Sequence, residues 1–135
     1  MKKTLILVVT VISISSLLTG CGCNKKNAVK EEKPAVNTNK DVVKDQTVSN
    51  FSFTKTSLIY VGGNSTLVTT VKNNSTKTEY IKTFNIISKD SQGNIINKMI
   101  GYIGEEIKPG EVRQITSQTD LDLSKAVSIE YTINK

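Results

Sequence analysis

The sequence predicts an all-β fold: an immunoglobulin-like antiparallel β-sandwich of six to seven strands, formed by residues 47–135. Three observations carry this expectation. Beyond Gln46, short runs rich in Val, Ile, Thr, Phe and Tyr recur at intervals of roughly ten to fifteen residues. Turn-forming residues separate them, and no segment sustains the 3.6-residue period of an amphipathic helix. Strands joined by hairpins, with no crossover helices between them, pack as two antiparallel layers. Antibody domains add paired cysteines and a core tryptophan. This chain of 135 residues has two cysteines, both near its start, and no tryptophan, so the expectation extends to the architecture alone.

The first strand runs from Val48 to Tyr60, with Phe51 and Phe53 in alternation, and closes at the hairpin signal Gly62-Gly63-Asn64. Leu67, Thr69 and Val71 alternate with Val68, Thr70 and Lys72 before Asn73-Asn74-Ser75 turns the chain. Tyr80, Phe84 and Ile86 then define an inner face, which leaves Ile81 and Ile87 on the other side. Lys89-Asp90-Ser91-Gln92-Gly93-Asn94 is the next hairpin, and Ile95 to Ile103 is the return strand.

In Ile107-Lys108-Pro109-Gly110-Glu111, proline presets the first central position of a turn and glycine accepts positive φ at the second, which is type II chemistry. Val112 to Thr119 follows as a strand. Asp120 to Ala126 is a connection whose leucines, Leu121 and Leu123, are expected to plug the core, with Asp122 or Ser124 placed to cap a helical turn. The last strand directs Val127, Ile129, Tyr131 and Ile133 inward and Ser128, Glu130 and Thr132 outward.

The chain begins differently. Lys2 and Lys3 precede an apolar run over residues 4–18, and Leu18-Thr19-Gly20-Cys21 ends it. This is the layout of a secretory signal peptide. The run of about 15 residues falls short of the roughly 20 that a spanning helix needs. Residues 22–46 have no aromatic residue and no sustained apolar period, a composition that does not repay its ordering entropy. The organisation read from this is a signal peptide over 1–20, a disordered Lys-rich tether over 21–46, and a β-sandwich over 47–135.

Leu18-Thr19-Gly20-Cys21 resembles the lipobox of bacterial lipoproteins. The resemblance implies cleavage between Gly20 and Cys21, diacylglycerol on the Cys21 sulfur, and an acyl chain such as palmitate on its new amino group. Cys23 is then left without an intrachain partner, so no disulfide holds the domain. A second resemblance covers about residues 65–117. Val71-Lys72-Asn73-Asn74, Phe84-Asn85-Ile86-Ile87-Ser88, the Lys89 to Asn94 hairpin and the Ile107 to Glu111 turn follow one another as in the FxLYD family of small bacterial lipoprotein domains. In the naming motif only Phe84 stands; Ile86, Ile87 and Ser88 replace leucine, tyrosine and aspartate. This family implies a sandwich on the envelope surface and brings no catalytic residues.

Composition narrows the function. The formal net charge of +6 divides evenly among leader, tether and domain, so no basic domain exists. The single arginine, Arg113, has no cationic cluster around it in sequence, which argues against nucleic acid. The chain has no histidine, the commonest general base and metal ligand. Asp120-Leu121-Asp122-Leu123-Ser124 lacks the glycine and glutamate of an EF-hand loop. Neither a catalytic site, a metal site nor a cofactor is expected.

The function expected is that of a non-catalytic binding or scaffolding module. Cys21 anchors it on the extracytoplasmic face of the cell membrane, where it meets an envelope protein or a wall polymer as a monomer. The alternative is a small-ligand-binding lipoprotein accessory to a transporter. Abundant Lys, Asn and Ile beside one Arg point to a low-GC Gram-positive bacterium. For a partner-binding surface, the hairpin over residues 80–103 is the candidate because it is apolar on both sides of its pleat. A half-buried antiparallel strand is polar on its outer side, and a soluble domain seldom exposes contiguous apolar area without use. Either another part of the chain covers this hairpin or it presents an exposed patch, and in the second case Ile81 and Ile87 are the residues expected to form the surface.

Overall fold

The computed structural model describes residues 32–134. The expected signal peptide, its expected cleavage position at Gly20 and the expected lipidation site Cys21 lie outside the described residues. Alternating apolar and hydroxyl side chains make extended backbone the favoured state over most of this stretch. In chain order the elements are β1 (Ala35–Asn37), α1 (Lys40–Val43), β2 (Gln46–Val48), β3 (Phe51–Val61), β4 (Asn64–Asn73), β5 (Glu79–Lys89), β6 (Ile95–Ile107), β7 (Val112–Thr119) and β8 (Ser128–Asn134).

All pairings are antiparallel. One sheet has the order β1-β3-β4-β7, with β2 also on β3; the other has the order β6-β5-β8. The chain changes layer after β4, after β6 and again after β7. As a result β4 lies beside β7 in one sheet while β5 lies beside β8 in the other, the interlocked arrangement of immunoglobulin-like sandwiches. The predicted fold class is borne out: β3 to β8 supply six strands within residues 47–135, as expected, and among the described residues β1 and β2 add two more.

Between the sheets, Phe53 stacks on Tyr131 with ring centroids 4.2 Å apart and meets the edge of Phe84 at 5.0 Å. Leu58, Leu67, Val71, Ile81, Ile86, Ile107 and Ile129 complete the buried layer. The Tyr131 hydroxyl shares a hydrogen bond with Thr56 Oγ1 at 2.9 Å, and Thr56 with Thr69 Oγ1 at 3.0 Å. Burial raises the phenol pKa of Tyr131 above its ordinary value, against the lowering effect of the threonine hydroxyls.

The turns follow their sequence chemistry. Gly62 and Gly63 have φ of +59° and +80°, as a type I′ turn requires at both central residues. Gly110 has φ +73°, and the Glu111 N–H donates to the Lys108 carbonyl at 3.0 Å, which closes the Pro109-Gly110 turn. Asn73 is fully buried and ties this turn to the end of β4. Its Nδ2 donates to the Ile107 and Lys77 carbonyls at 2.8 Å each, and its own carbonyl accepts from the Gly110 N–H at 2.8 Å.

The tether expected over residues 21–46 is corrected from Ala35 onward, where the chain is part of the sandwich. β1 pairs with Leu58–Tyr60 and β2 with Phe51–Phe53, so both borrow the free edge of β3. Between them α1, capped by Asn39 Oδ1 on the Asp41 N–H, inserts Val42 into the core with no exposure. The strap also reaches the opposite sheet. Asn37 Nδ2 donates to the Leu123 and Ala126 carbonyls at 3.2 and 2.8 Å, and Gln46 Nε2 donates to the Ile129 carbonyl at 2.7 Å. An open edge invites pairing with other chains; here a short segment of the same chain covers it.

Two smaller expectations change with it. The strand read as continuous from Val48 to Tyr60 is broken at Ser49-Asn50, where Ser49 takes φ +53°. The connection after β7 holds no helix: the Asp122 carboxylate accepts from the Ser124 N–H, and the Leu123 carbonyl accepts from the Ala126 N–H. Leu123 plugs the core as expected, whereas Leu121 is exposed.

Candidate functional site

The outer face of the β6-β5-β8 sheet carries the largest exposed apolar side chains that stand together in register. On β6, alternation turns Met99 and Gly101 inward and Ile100 and Tyr102 outward, with exposures of 61% and 65%. Gly101 leaves room for the Phe84 ring directly opposite it; a Cβ there would lie inside contact distance of that ring. At Gly104, φ +69° forms a bulge where Ile103 and Gly104 oppose Lys82 alone. The Tyr102 ring lies back over Gly104, on the side a Cβ would occupy.

That bulge corrects the expected phase of β5. Ile81 and Phe84, three positions apart, both point inward, and Ile81 is 1% exposed. Tyr80, expected inside, is 61% exposed. Ile81 is therefore a core residue and no part of a binding surface. Alternation extended backward from Phe84 inverts when the ladder shifts by one residue between Ile81 and Thr83. Below the bulge the phase holds, and Ile87 faces outward, half-buried.

Register assembles the face row by row. Tyr80 lies opposite Glu106, Thr83 opposite Tyr102, Asn85 opposite Ile100, and Ile87 opposite Lys98. On the β8 side, Asn85 and Asn134 exchange side-chain hydrogen bonds at 2.7 and 3.3 Å, and these amides also reach Thr132 and Thr83. Lys89 pairs with Glu130 at 2.6 Å. The face is thus polar and internally bonded along β8 and apolar along β6. Ile100 and Tyr102 could be read from the sequence as one side of their strand, but nothing in it told which side was covered.

A concavity of about 340 Å³ lies between residues 36–39 of the strap and residues 124–127 before β8. The Asn37 amide that lines it is already committed: Nδ2 donates to two backbone carbonyls and Oδ1 accepts from the Asn39 N–H. Among the described residues no group of three His, Cys, Asp or Glu side chains is placed to hold a metal ion, and no helix is long and apolar enough to cross a membrane. The charged side chains that are ordered serve turns and edges. The Asp90 carboxylate is held below its usual pKa chiefly by the Asn94 side-chain amide, and Glu111 chiefly by the Lys108 backbone N–H. Arg113 bridges Glu105 and Glu111 at 2.6 and 2.8 Å where β6 meets β7.

Fold and surface together define an antiparallel, immunoglobulin-like β-sandwich with an apolar strip on the outside of its smaller sheet. Compared with known proteins, the chain matches no family model, no curated protein and no solved structure.

Proposed function

We propose that this protein is a non-catalytic binding or scaffolding module of the cell envelope, held by lipid on the extracytoplasmic face of the membrane. The observation that carries the reading is Leu18-Thr19-Gly20-Cys21 behind a short apolar run with a lysine start. A single acyl chain binds a bilayer only marginally, at about 0.8 kcal/mol per buried methylene, so lasting attachment needs a second chain. A diacylglyceryl group on Cys21 supplies both. The order of the chain's turns also resembles that of FxLYD-like lipoprotein domains, which agrees with the same reading.

The binding surface in this proposal is the outer strip of Tyr80, Ile87, Ile100 and Tyr102. The sandwich begins at Ala35, closer to Cys21 than the expected start at Thr47. Between Cys21 and Ala35 the chain spans at most about 50 Å when extended, which keeps the domain close to the bilayer.

The anchor is tested by metabolic labelling with a fatty acid. Cys21→Ser is expected to abolish label and leave an uncleaved precursor, whereas Cys23→Ser is expected to change neither processing nor membrane attachment. Label that persists in the Cys21 variant would sink the reading.

A further inference from the structure

We infer that the occupant of the outer strip is a second copy of this chain, its β6 lying antiparallel over β6 about a two-fold axis at Tyr102. The inference rests on the reading of this face as the binding surface and adds the identity of the partner.

The strip is self-complementary in one orientation. β6 is the edge strand of its sheet, and Lys98, Ile100, Tyr102, Gly104 and Glu106 occupy alternate positions along it. Lys98 stands four residues before Tyr102 and Glu106 four residues after it; both are exposed. Among the described residues the ion pairs are Lys89 with Glu130 and Arg113 with Glu105 and Glu111, so Lys98 and Glu106 are opposite charges without a partner. A two-fold rotation at Tyr102 sets Lys98 of one copy against Glu106 of the other, twice per interface.

The neighbouring strand follows the same symmetry. Ile87 sits beside Lys98 and Tyr80 beside Glu106, so the rotation that pairs the charges also lays Ile87 over Tyr80. Ile100 meets the region where the Tyr102 ring covers Gly104. Stacking the strips in parallel would instead oppose lysine to lysine and glutamate to glutamate. An isologous contact requires such self-complementarity, and charge placement of this kind selects orientation and register.

The strip is small. Nine residues at about 3.3 Å each and a width of two strands at about 4.8 Å give about 300 Å² per copy, against the roughly 800 Å² per partner of a stable complex. The pairing is therefore weak in dilute solution, and confinement of both copies near one surface favours it.

The test uses the full-length chain in its native membranes with Cys23→Ser as background and a short bis-maleimide cross-linker. Tyr102→Cys is expected to give a homodimer, while Thr116→Cys, on the outer face of the other sheet, stays monomeric. Lys98→Glu and Glu106→Lys should each lower the yield from Tyr102→Cys about tenfold, and the two together should restore it. Unchanged thermal melting of each variant shows that the fold is intact. The inference is overturned if Tyr102→Cys cross-links no better than Thr116→Cys, if it joins a different protein, or if the double charge exchange fails to restore the dimer. Fractionation of the same samples keeps the anchor separate: a homodimer found outside the membrane fraction would refute the anchor and leave the pairing standing.

Discussion

Phe53→Ala is expected to lower the free energy of unfolding by about 3 to 5 kcal/mol, measured by urea denaturation. Phe53 has no exposure and contacts aromatic rings from β5 and β8 in the opposite layer, so its loss removes the side chain that joins the sheets at their centre. Truncation also leaves a cavity beside Tyr131 that the two rigid layers cannot collapse to fill. A domain of this size has only about 5 to 15 kcal/mol of stability in total, so the variant should be close to unfolding at ambient temperature. A loss below about 1 kcal/mol would mean that the aromatic group does not form the core.

Gly101→Ala is expected to cost about 1 to 3 kcal/mol, although it adds only a methyl group. The new Cβ would press into the Phe84 ring, and that ring has no exposure and is backed by Phe53. Neither the strand nor the ring can yield without disturbing the centre of the sandwich. Phe84→Leu in the same chain should recover part of the loss relative to the sum of the two single changes, because a smaller side chain opens the space the methyl needs. Additivity of the two would show that they do not meet.

These two positions differ in how well sequence announces them. Phe53 stands in a clear alternation with Phe51, and a core role follows from that pattern alone. Glycine inside a strand signals close approach without saying of what, and Phe84 becomes its neighbour only through the β5-β6 register. The same division runs through the fold. Hairpins at Gly62-Gly63 and Asp90–Asn94, the Pro109-Gly110 turn and the alternation of Ile129 and Tyr131 are local signals, and the structure follows them.

The strap was not legible because its partners are distant. Val42 and Asn37 gain their places from β3, β8 and the carbonyls of Leu123 and Ala126, while the residues around them read as a solvated linker. Ile81 lies inside rather than on the expected outer face because a bulge inverts alternation without leaving a mark in β5 itself; Gly104 on the facing strand is its trace. The candidate surface was half legible for the same reason. Its β6 residues and Ile87 follow the pleat, and Tyr80 joins them only across the bulge.

Mass spectrometry of the mature N-terminal peptide from native membranes tests the proposed lipid tether at Cys21. The expected result is a tryptic peptide, Cys21 to Lys25, that begins at the cysteine and carries the mass of a diacylglyceryl group on its sulfur. A mature protein that still begins at Met1, or a Cys21 recovered with a free thiol, would contradict it.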